Sequence, residues 1–127
     1  MANDISQSVA EFERARSQLL SVATQKGQLQ LQSEALAKTV EELKKTKEEK
    51  VYKAAGNIVI LMDAKTALKE VEEQKESVDL RFKTIDKQET SLTDKLNKLK
   101  SEIEKAQAKM PSVNSSKTDS TSTNSVM

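Results

Sequence analysis

A chain of 127 residues with 32% charged and 35% hydrophobic side chains but only 2% aromatic ones has room for one domain and little material for a compact globular core. Its 21 basic and 20 acidic residues leave a net charge of +1, which gives no electrostatic basis for binding nucleic acid or an anionic membrane. The absence of His and Cys removes the commonest metal ligands, the thiol nucleophile and any disulfide.

Asp4 is placed to cap a helix, with Gln7 completing a capping-box pattern. Beyond it Ile5, Ser8, Phe12, Ala15, Leu19, Val22, Lys26, Leu29, Ser33, Leu36, Val40 and Leu43 recur at alternating steps of three and four. Nine of these twelve positions are apolar, which is an unbroken heptad seam. The seam predicts a helix over 5–50, closed by Lys44, Lys45, Lys47 and Lys50 near its negative end. Gly27 lies inside it, tolerated or a flexing point, at roughly 1 kcal/mol relative to Ala.

The next stretch, 51–62, reads Val-Tyr-Lys-Ala-Ala-Gly-Asn-Ile-Val-Ile-Leu-Met. Gly56-Asn57 between two strand-like runs is a two-residue hairpin signal. Pairing across the turn sets Ala55 against Ile58, Ala54 against Val59, Lys53 against Ile60, Tyr52 against Leu61 and Val51 against Met62. The second strand is then apolar on both faces, because side chains alternate. A lone hairpin is marginal in water and its edges invite other strands, so this one is expected to be covered.

Asp63 is placed to cap a second helix over 64–110. Its seam runs Ala64, Leu68, Val71, Lys75, Val78, Phe82, Ile85, Glu89, Leu92, Leu96, Leu99, Ile103, Ala106 and Met110, before Pro111 stops it. Each helix should be about 70 Å long at roughly 1.5 Å per residue. Folding the chain back at the turn brings Leu43 to Val71, Leu36 to Val78, Leu29 to Ile85, Leu19 to Leu96 and Phe12 to Ile103. The polar exceptions also meet, Lys26 against Glu89, as a register-setting layer. The fold class expected is mainly α: a long antiparallel two-helix coiled coil with one β-hairpin at its closed end. The domain is 1–110, and 111–127, almost wholly Ser, Thr and Asn, reads as a disordered tail.

Catalysis has no candidate residue, no cofactor is expected, and the two glycines cannot form a phosphate loop. Glu48-Glu49 and Glu72-Glu73 read as solvated faces and intrahelical ion pairs. The longest apolar run, Ile58 to Met62, is far short of a membrane span, and Met-Ala-Asn-Asp does not open a signal peptide. The expected location is the cytoplasm.

Two long helices flanking Val51-Tyr52-Lys53 and Gly56-Asn57-Ile58-Val59-Ile60-Leu61, followed by Phe82-Lys83-Thr84-Ile85-Asp86-Lys87-Gln88-Glu89, resemble prefoldin over roughly residues 5–110. The space between the helices holds one hairpin rather than two, which resembles the β class and leans towards its archaeal type. The resemblance implies a hexamer of two α-type and four β-type subunits joined through β-barrels, with the coiled coils as tentacles. It also implies an ATP-independent holdase that captures unfolded proteins and passes them to a group II chaperonin. The Ser/Thr-rich tail departs from the family pattern. Subunit assembly is expected at Val51, Tyr52, Ala54, Gly56, Asn57, Ile58, Val59, Ile60, Leu61 and Met62. Client binding is expected at the arm tips, through Ile5, Val9, Phe12, Leu99, Ile103, Ala106 and Met110, because helix ends fray and a Met adapts to many partners. The competing reading is a structural coiled-coil scaffold or tether, which needs heptads but no two-faced apolar strand.

Overall fold

A computed structural model describes residues 2–109, with side chains from Ile5 onward; Met110 and the tail 111–127 lie outside the described residues. The elements in chain order are helix α1 (Ala2–Lys45), strands β1 (Lys50–Ala55) and β2 (Ile58–Asp63), and helix α2 (Ala64–Ala108).

The element ends differ from the sequence expectations in informative ways. Helix α1 begins at Ala2, so Asp4 lies inside the helix and not at its cap. It ends at Lys45, five residues before Lys50. Thr46 explains part of this early stop, because its hydroxyl accepts the Glu48 N–H at 3.2 Å, a local bond that competes with helix propagation. Lys50 belongs to β1 instead, opposite Asp63. Asp63 does precede the first residue of α2, but its carboxylate accepts a hydrogen bond from Lys50 Nζ, and the Ala64 N–H donates to the Glu49 carbonyl at 2.8 Å. At the far end α2 stops at Ala108, and the Lys109 N–H is shared between the carbonyls of Lys105 and Ala106.

The chain forms two compact units. The larger, Leu20–Thr90, holds the hairpin and the adjoining lengths of both helices. Its cross-helix contacts pair rising α1 numbers with falling α2 numbers: Lys26 with Glu89, Ser33 with Asp79, Lys44 with Glu72. The helices are therefore antiparallel. The positions withdrawn from solvent on α1 are the seam positions Val22, Lys26, Leu29, Ser33, Leu36, Val40 and Leu43. On α2 the described seam is withdrawn likewise, with Val78 buried deepest in this unit, and Ala67, beside the seam, is buried as well. The smaller unit takes the first turns of α1 and the last of α2. Its core is Ala15 and Leu99, surrounded by half-buried Phe12, Leu19, Leu92, Leu96 and Ile103.

The hairpin is a two-stranded antiparallel sheet in the register read from the sequence, from Ala55↔Ile58 out to Val51↔Met62, extended by Lys50↔Asp63. Gly56 makes the turn at φ 62°, the left-handed region that an L side chain resists. A Cβ added there meets nothing within 4 Å, so the cost of one would be conformational alone. Gly56→Ala should thus weaken the hairpin by about 1–2 kcal/mol. The measurement is amide hydrogen exchange, with faster exchange expected over 50–63 and unchanged exchange in the helices.

Candidate functional site

The hairpin faces differ from one another because alternation divides the same twelve residues into two sets. One face carries the pairs Val51/Met62, Lys53/Ile60 and Ala55/Ile58. Val51, Ala55 and Met62 are half-buried there, and Lys53 reaches across to Glu70 of α2 at 3.1 Å. This face leans on its own helix. The other face carries Tyr52/Leu61 and Ala54/Val59, bounded by the Lys50–Asp63 ion pair. Tyr52 is 75% exposed, Val59 64% and Leu61 53%, so a contiguous apolar patch stands in water. Ile58 and Ile60 on the first face also remain largely exposed, which leaves β2 apolar and uncovered on both sides. All ten residues named from the sequence for assembly, from Val51 to Met62, are gathered in this hairpin.

Two polar layers interrupt the seam beneath it. Lys26 Nζ lies 2.8 Å from both Asp86 Oδ1 and Glu89 Oε1, and 5.6 Å from the centre of the Phe82 ring. The hydrogen bonds to Asp86 and then Glu89 push its pKa from 10.5 up to about 12. In the second layer Ser33 Oγ donates to Asp79 Oδ1 at 2.6 Å, and Lys75 Nζ donates to Asp79 Oδ2 at 2.8 Å. The Lys75 bond first, and Ser33 after it, hold the Asp79 carboxyl below its ordinary 3.8. A raised amine contributes stability at every pH below 10.5 and loses it only as pH climbs through about 12. A lowered carboxyl contributes above 3.8 and loses its contribution as pH falls through its lowered pKa. Thermal stability should therefore stay level through neutral pH and decline at both extremes. Lys26→Glu would set three carboxylates together and lower the melting temperature by several degrees, whereas Lys26→Met, which leaves Asp86 and Glu89 without their cation but adds apolar surface at a seam position, should lower it less. Far-UV circular dichroism melts measure both.

The residues named from the sequence for client binding fall in the smaller unit. Ile5, Phe12, Ile103 and Ala106 are half-buried, Leu99 is buried, and Val9, off the seam, is 41% exposed. Met110 lies outside the described residues. Of the described ones, Val9 alone offers a large apolar surface without some opening of the helix pair.

Sequence reasoning missed Asp86, Asp79 and the part played by Ser33. Its signal was present, since Asp79 and Asp86 stand seven residues apart, each one position after an apolar seam residue. Among the described residues no helix is long and apolar enough to cross a membrane.

A family model described as prefoldin subunit matches residues 6–110. A prefoldin subunit beta from Pyrobaculum arsenaticum is 35% identical over 103 residues, covering 80% of this chain and 83% of that protein. One from Archaeoglobus fulgidus is 35% identical over 88 residues, covering 68% and 76%. The crystal structure of the prefoldin beta subunit from Thermococcus strain KS-1 superposes with a TM-score of 0.76 at 26% identity, covering 81% of this chain and 91% of that one. With the helices, the single hairpin and the family match spanning the same residues, the chain belongs to the prefoldin family, as a chaperone subunit of its β type.

Proposed function

We propose that this chain is one of four β-type subunits that join two α-type subunits in a cytoplasmic hetero-hexamer acting as an ATP-independent holdase. The hexamer captures unfolded proteins at the arm tips and passes them to a group II chaperonin. The observation that carries the assembly is β2, apolar and exposed on both faces, which a scaffold or tether does not require. Joining hairpins edge to edge would pair the open strands and bury Val59, Leu61 and Tyr52 together. Client capture rests on Ile5, Val9, Phe12, Leu99, Ile103 and Ala106, in the unit that holds the start of α1 and the end of α2. Terminal turns lack partners for their backbone groups and open locally, presenting seam residues that the closed pair hides. The test mixes the chain with an α-type partner and a chemically denatured enzyme without nucleotide. Suppressed aggregation is the expected result; a stable hexamer without suppression would favour the scaffold.

A further inference from the structure

We infer that the larger unit carries a second polypeptide-binding surface, a groove on one flank of the helix pair that takes an extended apolar segment bearing a carboxylate. This rests on the holdase reading and adds to it a place and a chemical preference. The groove is shallow and open to solvent along its length, with a volume of about 540 Å³. Its apolar lining is Leu29 and Ile85 of the seam together with Leu80, a leucine off the seam and 59% exposed. Its α1 wall is Gln25, Gln28 and Gln32, steps of three and four that keep the three amides on one face.

Charge distinguishes this groove from its surroundings. A second hollow, which shares Leu80 and adds Val40, is otherwise lined by Glu72, Lys75, Glu76, Asp79 and Lys83, a charged surface that water solvates well. Arg81 is the one charged residue lining the Gln-walled groove, and among the described residues it makes no ion pair. Thr84 is already satisfied, its hydroxyl donating to the Leu80 carbonyl at 3.2 Å. Glutamine amides both donate and accept, which matches the alternating N–H and C=O groups of an extended backbone. A guanidinium accepts a carboxylate side-on, in two parallel hydrogen bonds. The occupant that completes this surface has apolar side chains for Leu29, Leu80 and Ile85 and one Asp or Glu for Arg81.

The test uses the full isotope-labelled chain and two synthetic peptides, Ac-Ser-Val-Thr-Leu-Asp-Leu-Thr-Val-Ser-amide and its counterpart with Lys for the central Asp. Amide shifts should cluster at 25–32 and 77–85, with the Asp peptide bound about threefold to fivefold more tightly, as expected of an exposed ion pair. Arg81→Glu should reverse that order, and Leu80→Ser should weaken both peptides alike, with helicity unchanged in each. Equal binding of the two peptides, or an unchanged order in Arg81→Glu, would overturn the inference. Shifts confined to 5–12 and 99–109 would overturn it too while leaving capture at the arm tips intact. A chain that binds neither peptide yet suppresses aggregation in the hexamer would do the same.

Discussion

Leu61→Asp is expected to reduce the proposed hexamer to smaller species while the helices stay folded. Leu61 stands on the uncovered hairpin face beside Tyr52, so a carboxylate there costs the isolated chain almost nothing. In an assembled barrel the same carboxylate would lie in a dry interface. It would forfeit about 1.5–3 kcal/mol of leucine burial and add a desolvation cost of several kcal/mol. No nearby cation is free to offset it, since Lys50 on that face is paired with Asp63. Ile60→Asp should act in the same direction but more weakly, because Ile60 stands on the face that leans on its own helix and is less exposed than Leu61. Light scattering reads the size and circular dichroism the helices. An intact hexamer with Leu61→Asp would remove β2 from the assembly interface.

The second large effect is expected from shortening the chain to residues 16–98. This removes Ile5, Val9 and Phe12 from α1 and Leu99, Ile103 and Ala106 from α2, and it leaves the hairpin and both polar layers in place. The hexamer should persist, because none of its proposed contacts is lost, while retention of a denatured client falls to a small fraction of the full-length value. Static light scattering and an aggregation assay separate the two outcomes. Retention equal to the full-length hexamer would move the main binding surface away from the ends of the helices.

The seam was legible because its signal is redundant. Twelve positions on the first helix and fourteen on the second repeat one rhythm, and a misreading at one is corrected by its neighbours. The hairpin was legible for a different reason: a two-residue turn fixes the register of everything beyond it. Lys26 against Glu89 followed from those two facts. Asp86 did not, since a long lysine reaches two carboxylates and pairing rules name only one. The end of α1 was hidden because it depends on the Thr46 hydroxyl finding the Glu48 N–H, a choice that periodicity does not record. The groove was hidden for the opposite reason. Gln25, Gln28 and Gln32 are unremarkable on a helix read alone, and only the packing of α2 alongside places Leu80 and Arg81 beside them.

Tyr52 is the single tyrosine of a chain that has no tryptophan, and among the described residues it is the most exposed of the large apolar and aromatic side chains. Its phenol stands on the hairpin face that subunit joining would cover. Near-ultraviolet emission of the free chain therefore comes from one ring at one place, apart from the weak contribution of Phe12 and Phe82. Joining of unlabelled copies through that face should be visible in real time as a change in tyrosine intensity and accessibility to quencher. Events confined to the two helices should be optically silent.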